Sequence, residues 1–236
     1  MVKKTKEIWK TYQGVFDQFT NRTLFKLASQ GHFLELKSPI SIGKESHLFT
    51  ATTNSGEFVA IKIHRLETSD FNSMYNYIRV DPRYNWLRKH QRKIIFAWTQ
   101  REFRNLLLAR EAGVSIPKPI AVKENILIME FIGNKESAPQ LKNQFPKKPK
   151  LFLDLIIKNM KKMYEADFVH GDLSGFNILN YNEKPVLIDF SQATNMSAPN
   201  GEELFERDIK NISNFFSKQG LNITPSKLRE KIVRKT

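Results

Sequence analysis

The run His170-Gly171-Asp172-Leu173-Ser174-Gly175-Phe176-Asn177, followed downstream by Leu187-Ile188-Asp189-Phe190, decides how this chain is read. Two carboxylates and an amide stand at fixed offsets in a polar loop that leads into an apolar run. Moving a phosphoryl group from a nucleoside triphosphate asks for such a set. One carboxylate accepts or orients the proton of the attacking hydroxyl or water, and further oxygens hold Mg²⁺ on the phosphates, whose charge must be neutralised. Asp172 is expected to be the catalytic carboxylate and Asn177 and Asp189 the metal ligands, with Asp189 in a strand from Val186 to Phe190. Each piece alone also fits an ordinary polar turn or a strand-end cap; their joint order and spacing point to a site.

The five-residue step from Asp172 to Asn177 matches the catalytic loop of protein kinases. The first half of the chain should then supply a lysine for the phosphates and a glutamate to hold it. Val59-Ala60-Ile61-Lys62 has the apolar strand ending in lysine, and Glu102 on the following helix is the expected partner, ahead of Glu111 beside that helix's stop signal. A nucleotide-covering loop is expected at Ser41-Ile42-Gly43-Lys44-Glu45-Ser46. With one glycine, it offers the Gly43 backbone and the side chains of Ser41, Lys44 and Ser46 as donors, although a hairpin turn explains the same residues. Glu130-Phe131-Ile132-Gly133 follows an apolar strand and is expected to meet adenine through the main chain at Glu130 and Ile132.

Between these points the pattern is β-rich first and helical second. A helix is predicted from Asn21 to Gln30, stopped by Gly31. A meander follows at Ile40–Ile42, Leu48–Thr53 and Phe58–Ile63, its turns marked by Asn54, Ser55 and Gly56. Then come a polar insert, a helix from Ile94 to Glu111, and strands at Ile120–Val122 and Ile126–Phe131. Pro139, Pro146 and Pro149 mark a loop before a helix from Leu151 to Tyr164. Asn200 is the expected cap of a helix whose stripe is Phe205, Ile209, Ile212 and Phe216. The fold class is therefore α+β, two-lobed and kinase-like. The expected organisation is a helical extension over 1–37, a β-rich lobe over 38–132 with an insert at about 66–93, and a helical lobe over 133–236.

The formal charge of +14 points to a densely negative partner such as RNA, or to an evenly solvated basic surface. Basic residues gather at Lys3, Lys4, Lys6 and Lys10, at Arg83, Arg88, Lys89, Arg92 and Lys93, and at Lys142, Lys147, Lys148 and Lys150. A last group is Lys227, Arg229, Lys231, Arg234 and Lys235. Tyr84, Trp86, Phe96 and Trp98 are interleaved with the second group, a pattern suited to unpaired bases but equally to a core. Cysteine is absent, which excludes disulfides and thiolate metal sites. No run approaches the ~20 apolar residues of a membrane helix, so no membrane partner and a cytoplasmic location are expected.

Taken together these residues resemble the RIO family of atypical serine/threonine protein kinases, type-one branch. The likeness rests on the single-glycine loop 41–46, on Ala60-Ile61-Lys62-Ile63, and on Arg101-Glu102-Phe103-Arg104-Asn105-Leu106. It continues through Met129-Glu130-Phe131-Ile132-Gly133, His170 to Ser174, Ile188-Asp189-Phe190-Ser191-Gln192-Ala193, Glu206-Arg207-Asp208 and Asn214-Phe215-Phe216. The resemblance implies a trimmed kinase fold without the A-P-E subdomain, in an archaeal-style minimal form. It also implies use of ATP with Mg²⁺, or Mn²⁺ in its place, and ATPase as well as kinase activity. A phosphorylated form of Asp189, autophosphorylation, and a role on the pre-small-ribosomal-subunit particle and its rRNA are implied in the same way. Thr68, Ser69 and Ser73 in the insert are the candidate autophosphorylation sites. The chain departs from the branch at Ile42, Ser46, Phe190 and Gly175, the last standing where the branch commonly has Glu, a change expected to loosen the loop beside Asp172. Two other readings stand beside this one: a small-molecule phosphotransferase of the aminoglycoside-kinase type, and a non-catalytic assembly factor switched by ATP.

Overall fold

The structure, a computed structural model, describes residues 16–67, 70–84 and 87–233. Lys3, Lys4, Lys6, Lys10, Thr68, Ser69, Trp86, Arg234 and Lys235, to which the sequence reading gave a part, lie outside them. The chain divides into two compact units. The first holds the described residues through Arg79, those of 87–103, and Pro119–Phe131; the second holds 80–84, Arg104–Lys118 and everything from Ile132.

In the first unit, helix α1 (Gln18–Ser29) begins three residues before the predicted Asn21. The reason is its cap: the Asp17 carboxylate accepts the N–H groups of Phe19 and Thr20 at 2.9 and 3.0 Å, satisfying donors the helix itself cannot. The sheet comprises β1 (Glu35–Ile42), β2 (Ser46–Thr52), β3 (Phe58–His64), β4 (Pro119–Lys123) and β5 (Ile126–Glu130), in the order β1-β2-β3-β5-β4, with every pairing antiparallel. The meander is as predicted, but β1 is longer than Ile40–Ile42. Its register shifts on either side of Pro39, a residue with no N–H to give a ladder, which sits on the edge strand where that loss is tolerated. Such an edge shows no alternation to read. β3 is central and buried from Val59 to His64, hence the unbroken Val-Ala-Ile before Lys62. Leu24, Leu27, Phe49, Ile61 and Ile128 close the core beneath it, each burial worth roughly 1.5–3 kcal/mol.

The insert holds helix α2 (Phe71–Ile78), capped by Asp70, whose carboxylate accepts the Ser73 N–H at 3.1 Å. Helix α3 (Gln91–Glu111) starts three residues before the predicted Ile94 and is shared between the units, its residues through Phe103 belonging to the first. The described interleaved aromatics, Tyr84, Phe96 and Trp98, turn inward, against the unpaired-base reading. Trp98 and Tyr84 are buried, Trp98 meets Tyr77 edge-on at 6.0 Å, and Phe96 stacks on Phe19 at 5.5 Å. Arg88, Lys89, Arg92 and Lys93 remain exposed.

In the second unit, helix α4 (Pro149–Glu165) takes in Pro149, which had been read as loop. Proline is accepted in a helix's first turn because the N–H it lacks has no intrahelical partner there. Short pairs follow: β6 (Phe168–Val169) with β9 (Thr194–Asn195), and β7 (Ile178–Tyr181) with β8 (Lys184–Leu187). Helix α5 (Gly201–Lys218) carries the predicted stripe, yet the side chain of Asn200 makes no capping bond; only its carbonyl engages, accepting the Leu204 N–H at 3.0 Å. Helix α6 (Pro225–Val233) was not foreseen, because only Leu228 and Ile232 carry its apolar face among basic residues. Part of that basic tail is therefore a paired helix surface, with Arg229 on Glu206 and Glu202 at 2.6 and 3.0 Å. Among the described residues no helix is long and apolar enough to cross a membrane.

Candidate functional site

The predicted residues divide between the two units, Ile132 being the first residue of the second unit's last segment. In the first, Lys62 leaves the middle of β3, and its Nζ lies 2.8 Å from Glu102 Oε1 on α3. Lys62 is 9% exposed and Glu102 1%, while Glu111 is exposed. A charged pair withdrawn this far from water is expensive unless each member has the other. Glu102 also has His64 beside it, Nε2 standing 3.5 Å from Oε2.

The turn joining β1 to β2 is the predicted loop. Its glycine amide is already engaged, since Gly43 N–H donates to the Ser46 carbonyl at 3.0 Å. Ser41, Gly43 and Lys44 are exposed and Ser46 is half-buried where β2 begins. Glu130 ends β5 opposite Val59 and is exposed; Ile132 is half-buried, its carbonyl accepting the Ala138 N–H at 2.8 Å. Gly133 after it is obligatory, because φ is +154° and a Cβ would come within 2.1 Å of the Glu136 carbonyl oxygen.

In the second unit, the loop between β6 and β7 is built by backbone bonds onto buried side chains. His170 is fully buried. Its Nδ1 accepts the Asp172 N–H at 3.3 Å, which leaves the proton on Nε2 to donate to the Ile188 carbonyl at 3.0 Å. One imidazole thus ties the catalytic-loop backbone to the segment carrying Asp189. Asp208 reaches in from α5 and accepts two amides, Gly171 N–H on Oδ2 at 2.8 Å and Leu173 N–H on Oδ1 at 2.7 Å. Arg207 donates to the Gly171 carbonyl and to Gln192. Asn177 Nδ2 donates to the Asp172 carbonyl at 2.8 Å and to Asp172 Oδ2 at 3.0 Å, so the two residues expected to work together touch.

Asp189 is not in a strand. β8 stops at Leu187, and Asp189 sits two residues beyond it in the left-handed region at φ 62°, just before a 3-10 turn over Phe190–Gln192. For a residue with a Cβ that conformation costs energy, tolerated when the surroundings hold it. They do: Asn105 Nδ2 donates to the carbonyls of Phe190 and Ala193 at 2.9 and 2.8 Å, and Ser191 Oγ donates to Asp189 Oδ1 at 2.7 Å. The strand reading failed because Phe190 is apolar for the turn's sake, packed on His170 at 4.6 Å, not for a strand's.

Asp172, Asn177 and Asp189 are all half-buried. Burial first, and then the Asp189 charge, raise the Asp172 carboxyl above its ordinary range, against a smaller pull from Arg207 and Asn177. Asp208 is pushed up to about 7, chiefly by burial, which outweighs the two amides that favour its charge. Gly175 is not loose. A Cβ there would lie 2.7 Å from the Phe215 ring, and its carbonyl accepts the Lys142 N–H at 3.0 Å.

Sequence reasoning assigned no role to His64 or Asn105 and noted Asp208 only as part of a family likeness. A signal existed for Asp208: at three residues after Phe205 and four before Ile212, it is a charge inside the apolar stripe.

A five-stranded antiparallel sheet with a buried lysine–glutamate pair, and a helical unit bearing a His-Gly-Asp loop with its asparagine and a following aspartate, define a protein-kinase-like fold. The RIO domain model matches residues 47–228, and the chain belongs to that family. It is 39% identical over 236 residues to the RIO-type serine/threonine-protein kinase Rio1 of Methanocaldococcus jannaschii, covering 99% of this chain and 80% of the relative. To the protein of the same name from Haloferax volcanii it is 37% identical over 228 residues, covering 96% and 79%. Among solved structures, the Rio2 kinase–ADP/Mg²⁺–phosphoaspartate complex from Chaetomium thermophilum superposes with a TM-score of 0.69 at 23% identity, over 92% of this chain and 67% of that one, a likeness of fold.

Proposed function

We propose that this chain is a Mg²⁺- and ATP-dependent serine/threonine protein kinase with ATPase activity, in which Asp172 is the catalytic carboxylate. The observation that carries the reading is the contact of Asp172 with Asn177 on a loop held rigid by His170 and Asp208. Asn177 occupies one Asp172 oxygen and leaves Oδ1 to take the proton of an incoming hydroxyl. A carboxylate whose affinity for protons has been raised by burial does this better than an exposed one. Asn177 and Asp189 offer hard oxygen donors and no sulfur or imidazole, a set suited to Mg²⁺ or Mn²⁺, which keep part of their shell for phosphate and water. Bound there, the metal would offset charge on the phosphates. Lys62, oriented by Glu102, would bind phosphate oxygens; the 41–46 turn would cover them, and the main chain at Glu130 and Ile132 would meet adenine.

Asp189 supports a second route, one that ends in hydrolysis of ATP. Its carboxylate oxygen would attack the γ-phosphorus as the bond to ADP breaks, and water would then cleave the acyl phosphate to release inorganic phosphate. The exposed groups at Arg88, Lys89, Arg92 and Lys93 and at Lys142, Lys147, Lys148 and Lys150 support an rRNA-bearing partner such as a small-subunit precursor in the cytoplasm. Ser73, exposed on the first turn of α2, is the described candidate for autophosphorylation.

The test is incubation with Mg²⁺ and γ-labelled ATP beside Asp172→Ala and Asp189→Asn. Hydroxylamine-labile label that Asp189→Asn cannot acquire supports the acyl-phosphate route. Stable label lost in Asp172→Ala supports hydroxyl phosphorylation. ATP binding with neither label nor phosphate release would instead leave a nucleotide-driven switch.

A further inference from the structure

Behind the Lys62–Glu102 pair stands His64, two positions along β3, so that its side chain and that of Lys62 leave the strand on the same face. It is 3% exposed, and its main chain is fixed by Asn125, which accepts its N–H at 2.9 Å and donates to its carbonyl at 2.8 Å. The ring has less choice than the position suggests. Among the described residues neither of its nitrogens has a hydrogen-bond partner, nor does Glu102 Oε2, and Nε2 and Oε2 face each other at 3.5 Å. A buried polar atom left unpaired is destabilising, and an N–H···O bond forms at about 2.7–3.2 Å. A small approach therefore satisfies both atoms together.

We propose that His64 is a positioning residue for the phosphate-holding pair: its Nε2–H occupies Glu102 Oε2, turning Oε1 to Lys62 and fixing the direction of the ammonium. The inference rests on the reading of Lys62 as an ATP-phosphate contact. Its effect belongs in ATP binding, since the pair would hold phosphate in ground and transition states alike.

The experiment is steady-state Mg·ATP turnover by the full chain, with thermal melting, for wild type, Lys62→Ala, His64→Leu, His64→Gln and His64→Asn. A glutamine amide reaches the place of Nε2, an asparagine amide that of Nδ1. His64→Leu and His64→Asn are expected to raise the KM for ATP on the order of tenfold with kcat changed less than about twofold, and His64→Gln to return it to within about twofold of wild type. Should His64→Leu fail to fold, the Gln and Asn variants carry the comparison. Equal KM values for Gln and Asn, or a lower kcat and melting temperature at unchanged KM, overturn the proposal and leave packing as the role. Wild-type turnover in Lys62→Ala overturns the reading of Lys62 itself, and this inference with it.

Discussion

The two residue sets are held in opposite ways. Lys62 and Glu102 are an ion pair at 2.8 Å, buried between a sheet and a helix. Asp172, Asn177 and Asp189 are half-buried, and what fixes them is a mesh of backbone bonds onto His170, Asp208 and Asn105. The lesson is that similar charges carry different liabilities. In the first set, removing a side chain also breaks a buried ion pair. In the second, the functional side chains come away with little structural loss, while the residues behind them hold the shape.

The largest expected effect separates activity from stability on that basis. Asp172→Ala should lower phosphate transfer by about 10²–10⁴-fold, the usual range for a general base, and leave the melting temperature near wild type. Glu102→Ala should also lose turnover, but with about 3–5 kcal/mol of stability, the usual cost of breaking a buried ion pair by removing one member. Parallel kinetics and urea unfolding of both variants check this. Equal stability losses would erase the contrast.

The same contrast explains what was legible in the sequence. Lys62 with Glu102 and Asp172 with Asn177 could be paired in advance because the proposed phosphoryl transfer asks for those residue types at those spacings. Where the Asp189 backbone goes could not, since Val-Leu-Ile-Asp-Phe reads as strand, and the bonds that hold its bend include two from Asn105, 84 positions away in the chain. The α+β order was visible in periodicity; β1 and α6 were obscured, one by an edge without alternation and one by an apolar face of two residues. Burial of Trp98 and Tyr84 was equally hidden, because an aromatic among lysines looks the same whether it points in or out.

Asp208 sharpens the comparison next. Its folded pKa of about 7 exceeds the ordinary 3.8, so the folded state binds the extra proton between those values. Stability contributed by Asp208 is full below about pH 4 and is lost as pH rises through about 7. The loss should amount to a few kcal/mol. Unfolding free energies measured at pH 5 and pH 8 should therefore differ more in wild type than in Asp208→Asn, which cannot titrate. An unchanged difference would mean that the two amides hold the carboxylate charged throughout.

Gly175 should follow at about 1–3 kcal/mol. Gly175→Glu, which inserts the residue usual in the branch this chain resembles, drives a Cβ into the Phe215 ring and should destabilise by that amount. Phe215→Leu should recover much of it in the double variant, a coupling that independent sites would not show. Additive losses would mean that the ring yields at no cost.

The smallest effect tests how far the mesh reaches. Arg83 forks onto Asp81 at 2.6–3.1 Å and donates to Asn105 Oδ1 at 3.2 Å, on the amide whose nitrogen holds the turn after Asp189. The two carbonyls already require the Asn105 nitrogen on their side, and the guanidinium adds to that preference by donating to the oxygen. Arg83→Met keeps the stem and removes that donor, so the Asn105 side chain is held less firmly and the turn opens more often. The bond is long and one of several, so the expected cost is about 0.5–1.5 kcal/mol. It should appear as faster hydrogen exchange at the Ala193 amide, which closes the turn onto the Phe190 carbonyl, with the amides of β3 unchanged. Exchange that quickens equally in both units would show a global loss of stability and confine Arg83 to the surface it shares with Asp81.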